Sequence, residues 1–283
     1  MRRQGDERGC RDTSVAVAVL TRSVVCALAV VLLVGCSAAS DTASGAVASP
    51  RQRLRVAVAS DLRFAMDEIA AAWRTAHPAA ELDIVYGSSG NFFAQISEGA
   101  PYDIFFSADS DYPRRLEANG RTTGLVRIYG MGRLALWTRS SSGLALGAGL
   151  AVVAEPSVEA VAIANPKHAP YGRAAVEALQ SAGLYEAVEP KLVLGENVSQ
   201  AAQFAESGSA DVGIIALSLA LSRPLMSAGR HVIVPTDRYR PLEQAAVVLA
   251  SATDGDMSQM FVEFVLADEG RAILDRYGLL PPT

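Results

Sequence analysis

Cysteine is scarce: the 283 residues contain three, Cys10, Cys26 and Cys36, and none follows position 36. A fold built from the later residues has no disulfide to form, even in an oxidising compartment. It also has no cysteine-based zinc site, iron–sulfur cluster or thiol nucleophile. Histidine is almost as rare. His77, His168 and His231 are scattered without metal-ligand spacing, which argues against a metal centre; only His168 sits beside a loop of interest below. No Walker loop and no Gly-x-Ser-x-Gly elbow is present, and Ser107-Ala108-Asp109 lacks a partner histidine at any suggestive position. Nor is there an excess of positive charge. The first 36 residues hold five arginines and three acids, leaving 20 Lys and Arg against 27 Asp and Glu, a net charge of about −7. Nucleic acid normally demands a basic footprint, and this surface has the opposite sign.

What is present begins with a leader. Arg2, Arg3, Arg8, Arg11 and Arg22 precede an apolar run at 24–34, too short to span a bilayer comfortably and of the right length for a signal-peptide core. The run ends in Leu33-Val34-Gly35-Cys36, which resembles the lipobox of bacterial lipoproteins, where the cysteine becomes the lipidated first residue. A plain signal peptide, or an anchor with a chance cysteine, is the alternative. Residues 1–36 are read as a lipoprotein signal peptide and 37–53, rich in small side chains, as a flexible tether. The folded part is then expected outside the cytoplasm, membrane-anchored through a lipidated Cys36.

Along the remainder, apolar runs alternate with segments of helical spacing. Strands are predicted at 54–59, 82–85 and 103–107, with helices at 64–74, 91–97 and 112–119. The rhythm repeats with strands at 133–138, 160–164, 191–194, 210–215, 231–235 and 244–250, and helices at 172–182, 200–207 and 257–277; residues 140–155 read as a loop or a weak helix. Such alternation predicts an α/β fold of mainly parallel sheets flanked by helices. A two-lobed arrangement follows, with 54–133 plus 236–283 as lobe I, 134–235 as lobe II, and two crossings forming a hinge.

The chemistry concentrates where strands end and helices begin. Ser60 can offer a hydroxyl and a backbone N–H at the start of a helix, a place suited to an oxyanion and equally to an ordinary cap. Tyr86-Gly87-Ser88-Ser89-Gly90-Asn91 follows the next strand; its glycines permit close backbone approach and Ser88 and Ser89 supply hydroxyls. In lobe II, Pro170 leaves Tyr171 and Gly172 free to present N–H groups, and Val198 can contribute only its backbone N–H. A ring of N–H and O–H donors suits a fully ionised dianion, whereas a protonated phosphate is best met by a site that also offers an acceptor. Asp61 bears on that choice. Pointing inward it would repel a dianion and favour a protonated ligand; turned to the helix or solvent it would be a capping group, the reading adopted. Asp109 and Asp111 are expected to cap the helix near Tyr112, Trp73 and Trp137 to be core, and Lys167, Arg173 and Arg133 to steer anions at the cleft mouth.

The blocks Ala100-Pro-Tyr-Asp-Ile-Phe-Phe-Ser-Ala-Asp109, Ile163-Ala-Asn-Pro-Lys-His-Ala-Pro-Tyr-Gly-Arg173 and Gly195-Glu-Asn-Val198, with 54–68 and 86–99, resemble the molybdate-binding proteins of molybdate ABC transporters. The resemblance runs over about 54–280. It implies a type II periplasmic binding-protein fold, a monomer that binds molybdate or tungstate in the cleft without cofactor or metal cation, and delivery to a membrane permease driven by a cytoplasmic ATPase. It implies anion contacts from Ser60 and Ser89 through hydroxyl and N–H and from Tyr171 and Val198 through N–H. Many members add a tyrosine hydroxyl where this chain has Ala216, a loss for which Tyr171 or Ser218 are candidates to compensate. Others use an asparagine where this chain has Asp61. Another oxyanion, such as sulfate or phosphate, or a small organic acid is the alternative ligand, and an exported enzyme the alternative class.

Overall fold

The computed structural model describes residues 52–282; the expected signal peptide, Cys36 and residues 37–51 of the expected tether lie outside the described residues. The first strand already begins at Gln52, inside the stretch read as tether. Lobe I opens with β1 (Gln52–Ala59), a short 3-10 turn (Ser60–Leu62) and α1 (Arg63–Ala76), then β2 (Ala80–Gly87), α2 (Ser89–Ser97), β3 (Ile104–Ser107), α3 (Asp111–Ala118) and β4 (Arg127–Gly132). Lobe II contains β5 (Leu134–Arg139), β6 (Val161–Ala164), α4 (Pro170–Ser181), α5 (Tyr185–Val188), β7 (Leu192–Gly195), α6 (Val198–Ser207), β8 (Val212–Ala216), α7 (Leu217–Ala220), α8 (Arg223–Ala228) and β9 (Gly229–Ile233). The chain then supplies β10 (Leu242–Val248), α9 (Gly255–Leu266) and α10 (Asp268–Arg276). Among the described residues no helix is long and apolar enough to cross a membrane.

Each lobe is built on one five-stranded sheet, in the orders β2-β1-β3-β10-β4 and β7-β6-β8-β5-β9. Three strands run parallel in each, and an antiparallel strand next to them carries a further antiparallel edge strand. Central strands β3, β6 and β8 are buried along their whole length, as continuous apolar runs covered on both faces require. The strand that joins the parallel set in each lobe is the one adjacent to a crossing: β5 just after β4, and β10 after the return.

Helix α1 shows why the layers hold. Ala65, Met66, Ile69, Ala70 and Trp73 lie on one face and are buried. Trp73 meets the edges of Phe261 and Phe264 on α9 and stacks on His77. Trp137, also core, donates its indole N–H to the Leu225 carbonyl at 3.1 Å, so its one polar atom is not stranded.

Local departures from expectation have local causes. β4 was not predicted, because its Gly130-Met131-Gly132 ending reads as a turn; the glycines are tolerated on an edge strand. The single helix expected at 257–277 is two, broken where Ala267 is extended and Asp268 and Glu269 open a new first turn. Residues 140–155 contain two 3-10 segments, the second kinked at Gly149 with φ of 59°.

Candidate functional site

Three helix starts and one 3-10 turn converge between the lobes. Ser60 and Asp61 come from the turn after β1, Ser88 and Ser89 from the start of α2, Pro170 and Tyr171 from the start of α4, and Val198 from the start of α6. With Ala59, Gly87, Ala108 and Ala169 these line one small cavity of about 10 Å³. All of the named polar side chains are buried. A larger groove of about 840 Å³ opens nearby, walled by Asp109, Arg114, Arg173, Glu177, Arg240 and Glu243 among others. Its charges are largely spent on one another, through Arg173–Asp109, Arg240–Glu177 and Arg114–Glu243. Convergent donors, not size, mark the small cavity as the site.

The hydrogen bonds around that cavity differ by residue. Ser89 Oγ accepts the Ala108 N–H at 3.0 Å, which fixes its oxygen and leaves its own proton to donate. Ser60 Oγ lies 3.4 Å from the Ser199 N–H. The N–H groups of Tyr171 and Val198, in the first turns of α4 and α6, have no acceptor inside their helices. Asn197 caps α6 by accepting from the Gln200 N–H at 3.1 Å, as its position before the helix predicts. Two candidates are committed elsewhere. Gly172 gives its N–H to the Ala169 carbonyl at 3.0 Å, and a methyl there would collide with the Ala164 carbonyl, so its glycine serves packing. Ser218 donates to the Asp61 carbonyl at 2.7 Å and so cannot replace the tyrosine hydroxyl missing at Ala216.

Asp61 is not the capping group expected. Neither the turn nor α1 receives a side-chain cap, and the carboxyl is buried against the cavity. Its Oδ2 accepts from Gln244 Nε2 at 2.8 Å, its Oδ1 has no partner among the described residues, and Gln244 Nε2 also donates to the Tyr171 hydroxyl at 3.0 Å. Burial raises its pKa from 3.8 to about 7, against the lowering effect of the hydrogen bonds from Gln244 and Tyr171. The same burial, with the Asp61 charge next, pushes the Tyr171 hydroxyl well above its usual value. Gln244 was invisible in the sequence: it lies far along the chain and reads as one polar residue in an apolar strand.

The lobes are closed on each other by a seam of direct bonds. The Gly90 N–H donates to the His168 carbonyl at 2.9 Å, where any side chain at Gly90 would strike that carbonyl and the Tyr112 hydroxyl. Ser88 Oγ lies 2.8 Å from both the His168 carbonyl and its Nδ1. Ser199 donates to the Ser60 carbonyl at 2.8 Å, and Asn91 to Glu196 at 2.5 Å. Arg173 pairs with Asp109 and the Tyr112 hydroxyl across the seam, while Arg133 holds the Gly278 carbonyl. Both are thus tied into the fold, and only Lys167 of the three expected steering cations is freely exposed. Asp109 takes the Asp111 N–H at 3.0 Å as well, a capping role close to that expected; Asp103 ties Arg55 to Thr253. Among the described residues no group of three His, Cys, Asp or Glu side chains is placed to hold a metal ion.

Residues 54–280 match the family model described as bacterial extracellular solute-binding protein. The molybdate-binding protein ModA of Rhodobacter capsulatus is 37% identical over 194 residues, covering 68% of this chain and 75% of its own. That of Azotobacter vinelandii is 35% identical over 236 residues, covering 82% and 92%. A solved Azotobacter vinelandii periplasmic molybdate-binding protein superposes with a TM-score of 0.76 at 31% identity, over 81% of this chain and all of that one. With its two-lobed α/β architecture and a donor-lined cavity at the seam, the chain belongs to the bacterial extracellular solute-binding proteins, a family of transport components and not of enzymes.

Proposed function

We propose that the protein captures molybdate or tungstate outside the cytoplasm, anchored by a lipidated Cys36, and delivers it to a membrane permease driven by a cytoplasmic ATPase. The observation that carries this reading is the convergence of the buried residues Ser60, Ser89, Tyr171 and Val198, predicted as contacts, on one small cavity. Ser60 and Ser89 would act through hydroxyl and N–H, Tyr171 and Val198 through N–H, around the oxygens of a tetrahedral dianion. The molybdate-binding relatives support the choice of ligand. Residues 54–133 with 236–283, and 134–235, would be the two bodies that part to admit it.

One observation favours a second reading. The Asp61 carboxyl at the cavity is an acceptor, and an acceptor suits an oxyanion that carries a proton, such as phosphate. Titration calorimetry against molybdate, tungstate, sulfate, phosphate and chromate separates the two. Molybdate and tungstate are expected to bind below about 1 μM and the others roughly tenfold more weakly or worse. Equal or tighter phosphate binding would overturn the assignment.

A further inference from the structure

The buried carboxyl of Asp61 lines the cavity proposed to hold a dianion, and two negative charges that close repel each other strongly where burial weakens screening. One oxygen, Oδ1, has no partner among the described residues, the other receives the Gln244 amide, and the Tyr171 hydroxyl stands beside the carboxyl without offsetting its burial. The groups facing it bring no compensating cation. Tyr171 on α4 and Tyr129 on β4 are the titratable neighbours, and both are held neutral by burial. From β10 comes the neutral Gln244, from α7 the Ser218 hydroxyl on the Asp61 carbonyl, and from α6 Val198 and Ser199. Two arginines expected at the cleft are engaged elsewhere, Arg133 on the Gly278 carbonyl and Arg173 on Asp109 and Tyr112. A carboxyl in this setting can join a dianion in one way: as a neutral acid whose O–H supplies a donor.

We infer that Asp61 makes anion capture proton-coupled: the site takes up one proton as it closes, and the protonated Asp61 donates to an oxygen of the bound dianion. The atoms balance simply. A proton from solvent joins a carboxylate oxygen on closure, no covalent bond to the ligand forms, and the proton returns to solvent on release. The carboxyl then occupies the role of the donor that Ala216 does not provide. This inference rests on the molybdate reading above and adds a property that the reading does not require.

The consequence is a slope. Above the pKa of Asp61 in the open protein, the dissociation constant for molybdate rises about tenfold per pH unit, because each binding event must first protonate the carboxylate. Titration calorimetry of the purified protein with sodium molybdate from about pH 6.5 to about pH 9, in buffers of different ionisation enthalpy, reads both the slope and the proton count. About one proton taken up per anion at the alkaline end is expected. Asp61→Asn, which presents a fixed N–H donor, is expected to bind at the alkaline end roughly tenfold or more tightly than the parent, with no proton uptake and a nearly flat profile. A parent protein that binds molybdate with neither slope nor proton uptake overturns the inference and leaves the ligand assignment standing. Tight phosphate binding that Asp61→Asn abolishes also overturns it, since the proton then rides on the ligand and Asp61 accepts. Failure of parent and variant alike to bind molybdate anywhere in the range overturns the ligand assignment, and this inference with it. The proton count on the parent decides the matter even if the variant does not fold.

Discussion

The two lobes share a strand order and differ in what they bring to the seam. Lobe I supplies side chains: the hydroxyls of Ser60, Ser88 and Ser89 and the carboxyl of Asp61. Lobe II supplies backbone at the openings of α4 and α6, where Tyr171 and Val198 present N–H groups whatever their side chains are. The difference separates two kinds of selectivity. A hydroxyl or carboxyl can be tuned by one substitution, while a helix-start amide is fixed by the fold and answers only to changes that move the helix.

The largest effect should come from a residue that belongs to neither donor set. Gly90→Val places a side chain against the His168 carbonyl and the Tyr112 hydroxyl, so the seam cannot shut. Molybdate affinity is expected to fall by about a thousandfold, roughly 4 kcal/mol, while the circular dichroism spectrum and melting transition stay near those of the parent. Retained affinity would show that closure at this contact is not needed, and the lobes would then count as independent half-sites.

Next is the cost of the lobe I carboxyl to the fold itself. Its pKa is raised, from 3.8 to about 7, so the native state holds more protons than the unfolded chain between those values. Parent stability therefore falls as pH rises through that window; the penalty is absent below about pH 4 and complete above about pH 7. Asp61→Asn removes it and should stabilise the ligand-free protein by up to about 4 kcal/mol at alkaline pH, with a gain that shrinks toward acid. Urea denaturation at about pH 5 and about pH 8.5 gives the comparison; a gain independent of pH would mean that the carboxyl is solvated.

Ser89→Ala tests the tunable side of the comparison and should weaken molybdate binding by roughly 1–3 kcal/mol, since it removes a donor to a desolvated charge. An unchanged calorimetric affinity would take Ser89 out of the site. The smallest effect belongs to lobe II. Val198→Ala keeps the N–H and should change affinity by less than about 0.5 kcal/mol, and a loss as large as that of Ser89→Ala would erase the distinction between the lobes.

Much of this was legible in the chain. Strands 54–59 and 103–107 announced themselves because central strands are mostly apolar, and the serines after β1 and β2 stood out because strand ends are where α/β folds leave donors unpaired. What stayed hidden depended on partners distant in sequence. The capping preference of Asp61 is a local rule, and it lost to Gln244, 183 positions away, whose amide also donates to the Tyr171 hydroxyl of the other lobe. Arg173 and Arg133 read as steering charges because sequence shows a cation but not the carboxylate or carbonyl it faces. β4 was missed for a related reason, since glycine opposes strand formation locally and distant partners, β10 and Leu280, make the strand worthwhile.

The 3-10 turn between β1 and α1 carries one more implication. Its first two carbonyls are gripped from lobe II by the hydroxyls of Ser199 and Ser218. Hydroxyl-to-carbonyl bonds trade with water at little net change, about 1 kcal/mol each, so such fastenings make the shut form orderly without making it deep. Where such bonds hold the turn, opening costs little, and cargo shifts a balance that exists without it. A receptor that recognised the shut outline alone would waste encounters on empty carriers.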